Sequence, residues 1–149
     1  MANTFTQLLY HVVFSVKNRE RAIAAGRRDD LYGYLWGISK NLNCHLYRIG
    51  GVEDHIHICV GIHQTVSVAD YVEKMKTGST NWIRRKGVFP GWPGWQDGYG
   101  AFTLAHRDKD SVIEYIKGQE EHHRTVPFIE EYKRMLSEAG IAFEEKYLV

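Results

Sequence analysis

The segment Asp54-His55-Ile56-His57-Ile58-Cys59-Val60 constrains the fold more than any other stretch of the chain. Side chains alternate across a β-strand, so Ile56, Ile58, Val60 and Ile62 take one face while His55 and His57 take the other. The apolar row must seal a core. The opposite face then presents two imidazoles about 7 Å apart along the strand, a rigid platform for one cation.

A second segment, Tyr115-Ile-Lys-Gly-Gln119-Glu-Glu-His122-His123, reads as a helix. It sets Tyr115 and Gln119 one turn apart, with Cβ atoms roughly 5–6 Å from each other on one face. Two imidazoles hold a divalent ion weakly, so a third ligand is expected from elsewhere. Gln119 offers a carbonyl oxygen, and His122 and His123 offer nitrogens. If Gln119 reaches the ion, Tyr115 reaches whatever the ion polarises. A tyrosine with a pKa of about 10 is a poor nucleophile, but it suffices against a phosphodiester whose charge a divalent ion withdraws. Packing against the sheet is the ordinary use of such a tyrosine, yet Val112, Ile113 and Ile116 already supply apolar contacts. Gly118 costs about 1 kcal/mol relative to alanine inside a helix, which suits a helix that need not be rigid.

Around these segments the periodicities give an order of elements. Residues 6–16 form a buried first strand, and a helix follows from Asp29 to Leu42 with Asn43 as its stop. Strands over 45–53 and 55–62 form a tight hairpin, the first weakened or bulged at Gly50-Gly51. Ser67 and Asp70 cap a helix running to about Arg85. The run 87–98, dense in Gly, Pro and Trp, is a loop. A strand over 99–105 leads to the Tyr115 helix, capped by Asp110 or Ser111. A last helix spans about 127–139, with Pro127 in its first turn and Gly140 as its stop. The order predicts one α+β domain over 1–149: an antiparallel ferredoxin-like or RRM-like sheet of about four to five strands, with helices on one face. The open face, carrying His55 and His57, is the expected working surface.

The chain has 149 residues, 44% of them apolar, and a net charge of +1. That is enough for one core and excludes a general polycation. Nucleic-acid contacts must come from local clusters, for which the candidates are Lys17, Arg19 and Arg21; Arg84, Arg85 and Lys86; Arg107; and Arg124. Two cysteines, Cys44 and Cys59, form neither a disulfide framework nor a metal pair, which suits a reducing cytoplasm. No secretory leader or membrane-spanning run is visible.

These residues amount to a resemblance. His55-Ile56-His57 is similar to the HUH motif, and Tyr115-Ile-x-x-Gln119-x-x-His122-His123 resembles the nucleophile helix of single-tyrosine HUH transposases, the enzymes of small bacterial insertion sequences. Tyr10-His-Val-Val-Phe-Ser-Val-Lys17, Gly78-Ser-Thr-Asn-Trp82-Ile and Trp95-Gln-Asp-Gly-Tyr-Gly-Ala-Phe102 extend the likeness over nearly the whole chain. The resemblance implies an endonuclease and strand transferase dependent on Mg²⁺ (or Mn²⁺). It implies cleavage and rejoining of single-stranded DNA at element ends through a 5′-phosphotyrosine. Tyr115 would be the nucleophile, with His55, His57 and Gln119 as metal ligands and the nucleophile helix mobile. Its partners would be single-stranded DNA with terminal hairpins and a second copy of the chain, with active sites shared between subunits, in a cytoplasmic and nucleoid-associated setting. Rival readings are a domesticated HUH nuclease, a replication initiator or relaxase, and a non-catalytic RRM-like nucleic-acid-binding module. The last is weakened by Asp97, which stands where the RNA-binding pattern of such domains wants Lys or Arg.

Overall fold

Four strands carry the β-branched and aromatic runs in the computed structural model, which describes residues 3–148. They are β1 (Leu9–Ser15), β2 (His45–Gly51), β3 (His55–Gly61) and β4 (Gly100–Leu104). Five helices accompany them: α1 (Arg28–Asn41), α2 (Val68–Lys86), α3 (Lys109–Lys117), α4 (Gln119–His122) and α5 (Phe128–Glu138). The sheet order is β2-β3-β1-β4, antiparallel throughout. Each of the crossovers through α1 and α2 passes over one intervening strand, which is the ferredoxin-like arrangement expected from the sequence.

Val12, Phe14, Ile56, Ile58 and Val60 point from the central strands into a core shared with Leu31, Leu35, Tyr71, Met75 and Ile83 of α1 and α2. The Tyr71 hydroxyl, buried where no water reaches it, is bonded to Ser39 across the two helices. Ser67 accepts the Asp70 N–H at 3.0 Å to start α2, and Asn43 and Gly87 adopt the left-handed conformation that ends α1 and α2. The Gly-Pro-Trp run has no regular structure beyond one bridge from Trp95 to Val16, as its composition requires. It is nonetheless core material: Val88, Phe89, Trp92 and Trp95 are all buried, and the Trp95 Nε1–H donates to Ser79 at 2.9 Å.

Three expectations change. The face bearing His55 and His57 is not open, because α3, α4 and α5 lie across it and bury Ile116, Gln119, Phe128, Glu131 and Leu136. The Tyr115 helix begins earlier, at Lys109, with no side-chain cap from Asp110 or Ser111, and it breaks at Gly118, whose ψ of 10° is not helical. Gly50 and Gly51 are not the bulge, which lies between Leu46 and Arg48.

What the glycines do instead follows from register. Gly50, His57, Val13 and Gly100 form one row across the sheet. At its two ends the missing side chains let helices settle onto the sheet. A Cβ on Gly50 would stand 2.4 Å from the Ile116 carbonyl oxygen of α3, and one on Gly100 would stand 2.8 Å from the Tyr132 ring of α5. The row thereby sets α3 and α5 at contact distance on either side of His57.

Candidate active site

β3 delivers His55 and His57 to the covered face, and both rings are fully buried. Around each ring the second nitrogen is held. His55 Nδ1 lies 2.7 Å from Asp54 Oδ1, and His57 Nδ1 lies 2.8 Å from Nε2 of His11 on β1. Such contacts fix ring orientation and leave the Nε2 atoms facing the centre of the site.

The Gly118 break turns Gln119 inward, where its Oε1 lies 3.1 Å from His55 Nε2. Tyr115, one turn earlier, packs edge-on to His57 with ring centroids 5.8 Å apart. The four residues expected to cooperate, His55, His57, Tyr115 and Gln119, therefore meet within one chain. A composite site between subunits is not needed to bring Tyr115 to the histidines.

The sequence reading missed the centrepiece, Glu131 of α5, which is fully buried. Its Oε1 lies 2.9 Å from His57 Nε2, 3.1 Å from His123 Nε2 and 3.3 Å from His55 Nε2. Its Oε2 accepts from Gln119 Nε2 at 3.0 Å and from the Tyr115 hydroxyl. That hydroxyl also accepts from Arg134 Nη2 at 3.1 Å. A signal was present in the sequence. Phe128, Tyr132 and Met135 make the apolar stripe of α5, and Glu131 falls on that same stripe, where an unpartnered carboxylate would be very costly.

The electrostatics follow from burial and these contacts. Burial pushes His11 down to about 3 and His57 to about 4. It also acts against a charged His55, but hydrogen bonds to Asp54 and Glu131 prevail and raise its pKa. For Glu131 burial favours the neutral acid, yet hydrogen bonds from His123, His55 and His57 hold it far below the carboxylate range. Burial, then Glu131, raise Tyr115 above the ordinary tyrosine value. A tightly held phenol proton facing a reluctant proton acceptor describes a resting site.

The donors suit a divalent cation. One atom from each of His55, His57, His123 and Glu131 lies within 4.8 Å of the others, and the Gln119 carbonyl adjoins His55. Beside this centre runs a cleft of about 650 Å³ lined by Asp54, His123 and three of the basic candidates, Arg19, Arg21 and Arg124. Lys17 and Arg107 are exposed on short 3₁₀ turns and do not line it. Arg84, Arg85 and Lys86 form the last turn of α2, where cations suit the carbonyl end of a helix. An RRM-like platform is not available, since base stacking needs exposed aromatics on the central strands and those strands are covered on both faces. Among the described residues, no helix is long and apolar enough to cross a membrane.

Comparison with known proteins agrees with this fold. A candidate transposase from Deinococcus radiodurans R1 shares the fold at a TM-score of 0.63 and 21% identity, over 80% of this chain and 95% of that one. A REP-associated tyrosine transposase, solved bound to a REP hairpin, shares it at a TM-score of 0.63 and 12% identity, over 85% of this chain and 74% of that one. No curated protein matches the chain by sequence. The sequence profile of the IS200-like transposases matches residues 4–119, the segment that holds the sheet, both histidines, Tyr115 and Gln119. The chain belongs to the IS200-like transposase family.

Proposed function

We propose that this transposase cuts and rejoins single-stranded DNA through a covalent bond between Tyr115 and a 5′ phosphate. The observation that carries the reading is the convergence of His55, His57 and Gln119 beside the Tyr115 hydroxyl, from two separate parts of the chain, on one buried centre. Apolar packing alone would not collect a phenol, an amide, a carboxylate and several imidazoles there.

His55, His57 and Gln119 would hold a divalent ion. Bound there, the ion would draw charge from the non-bridging phosphate oxygens and supply the Lewis acidity that a phenol nucleophile lacks. The chain's residues do the rest. Tyr115 exchanges its contact with Glu131 for the phosphorus and forms an oxygen–phosphorus bond as the bond to the 3′ oxygen breaks. The proton lost by the phenol is made good at the leaving oxygen, which departs as a 3′-hydroxyl. Arg134, already donating to the Tyr115 oxygen, favours its negative form during attack. The ester conserves the energy of the broken linkage, so a second 3′-hydroxyl can attack it and rejoin strands without ATP.

Arg19, Arg21 and Arg124, which line the cleft beside Asp54 and His123, would position the phosphate backbone. The hairpin bound by the REP-associated relative supports folded single strands as the substrate. Incubation with labelled single and double strands from the DNA flanking its own gene tests the proposal. The expected result is cleavage of the single strand alone, lost in His57→Ala. Equal cleavage by His57→Ala, or cleavage of duplex only, would overturn it.

A further inference from the structure

We propose that His123 and Glu131 are themselves ligands, joining His55, His57 and Gln119 in a cation site of three imidazoles, one carboxylate and one amide oxygen that is filled in the absence of DNA. Such a site prefers Mn²⁺, Co²⁺ or Zn²⁺ to Mg²⁺. The inference rests on the transferase reading above and names the ion its site takes.

Lone-pair accounting is the first argument. His123 Nδ1 faces the Val126 carbonyl oxygen, and His55 Nδ1 faces Asp54 Oδ1. Both partners can only accept, so each ring carries its proton on Nδ1 and, when neutral, turns a bare lone pair inward from Nε2. With the rings neutral, those lone pairs point at Glu131 Oε1, another acceptor, at 3.1 and 3.3 Å, and the hydrogen bonds to Glu131 described above exist only where a ring carries a second proton. Acceptors buried face to face repel unless positive charge lies between them. Charging every ring instead would crowd imidazolium groups whose nitrogens lie within 4.8 Å of one another. One cation at the centre satisfies all four donors.

Spacing is the second argument. Ligands adjacent on one ion at about 2.0–2.2 Å stand roughly 3.0–3.5 Å apart in octahedral or tetrahedral arrangements. The separations of 2.9, 3.1 and 3.3 Å from Glu131 Oε1 to His57, His123 and His55 lie near that spacing, and the four atoms together span up to 4.8 Å, nearer the trans separation of an octahedral ion than a tetrahedral edge. Chemistry then selects the ion. Mg²⁺ seeks oxygen ligands and retains its waters, whereas imidazole nitrogens favour the later divalent metals. Both added ligands lie beyond residue 119, where the match to the family profile ends.

The test uses the full-length protein, stripped of metal and free of DNA. Mn²⁺ is titrated by electron paramagnetic resonance, Co²⁺ by visible absorption, and Mg²⁺ and Zn²⁺ by competition. One ion per chain is expected, with affinity rising from Mg²⁺ through Mn²⁺ and Co²⁺ to Zn²⁺. Glu131→Gln and His123→Ala should each weaken Co²⁺ binding more than about tenfold and alter its spectrum. Should either variant fail to fold, pulsed resonance on the wild-type Mn²⁺ complex counts the bound imidazoles. Three support the proposal, and two overturn it. Wild-type affinity in both variants, or Mg²⁺ binding as tightly as Mn²⁺, would also overturn it. If the wild type still forms its DNA adduct in that event, the transferase reading stands and only this inference falls. Ligation by His123 and Glu131 in a protein that forms no adduct would mean the reverse.

Discussion

Gly50→Ala should cripple the reaction from a position beside His57 in the sheet that contributes no side chain to the site. The added Cβ would stand 2.4 Å from the Ile116 carbonyl oxygen and 2.7 Å from Ile116 Cγ2. A backbone oxygen cannot swing aside, so α3 has to lift by roughly 1 Å to regain van der Waals contact. Overpacking of this kind costs about 1–3 kcal/mol, offset by the 0.5–1 kcal/mol or so that alanine gains over glycine in a strand. Tyr115 precedes Ile116 on the same helix and travels with it. A displacement of about 1 Å at the proposed nucleophile costs on the order of 10²-fold in rate. Single-turnover adduct formation at saturating DNA reads the rate, and urea unfolding reads the stability. At the other end of the row, Gly100→Ala meets a Tyr132 side chain instead of backbone, and the smaller effect expected there serves as a control. A Gly50→Ala protein with wild-type rate and unchanged unfolding midpoint would refute the claim that this glycine seats the Tyr115 helix.

Three further outcomes are expected. Tyr115→Phe removes a hydroxyl bonded to both Glu131 and Arg134, so it should lower stability by about 1–2 kcal/mol in urea unfolding; an unaltered midpoint would argue that the hydroxyl is unbonded in solution. Mixing His57→Ala with Tyr115→Phe should restore no activity if the meeting of Tyr115 with His55 and His57 within one chain is the working arrangement; recovery in demonstrated heterodimers would show that the tyrosine acts in trans. Acidification of the metal-free protein should weaken it between pH 6.5 and about 4, since His57 and His11 titrate at about 4 and 3 when folded against 6.5 unfolded. The unfolded chain then takes up protons first, and their stabilisation is present above that window and lost as pH falls. His55, shifted upward, opposes this alone, so an equal or higher urea midpoint at pH 5 than at pH 7.5 would contradict the assignment.

Elements with strong local periodicity were legible. The alternation through His55–Val60 and the three-and-four spacing of α1 and α2 reappear within one to two residues, because each depends on neighbours in sequence. The pairing of Tyr115 with Gln119 also survives, although Gly118 divides their helix, because the break redirects Gln119 without separating the two. What depends on distant packing was not legible. Gly50 looks like a weak strand end until Ile116 is seen against it. The Trp92 and Trp95 loop has the composition of an exposed turn, but Gly and Pro forbid only regular structure, not burial. Glu131 was hidden by the usual assumption that helix carboxylates face water. Its place on the stripe of Phe128, Tyr132 and Met135 was the available clue.

The central claim, attack by Tyr115 on phosphorus with help from a divalent ion, is tested most directly by the covalent product. Wild-type protein is incubated with a labelled single strand from the flank of its own gene, with Mn²⁺ or with a chelator. Denaturing gel separation and peptide mass analysis of the slower band then locate the attached DNA. The account predicts a 5′-phosphoryl adduct on Tyr115 that forms with Mn²⁺ and disappears with the chelator and in Tyr115→Phe. An adduct on another residue, or one that forms equally well under chelation, would contradict it.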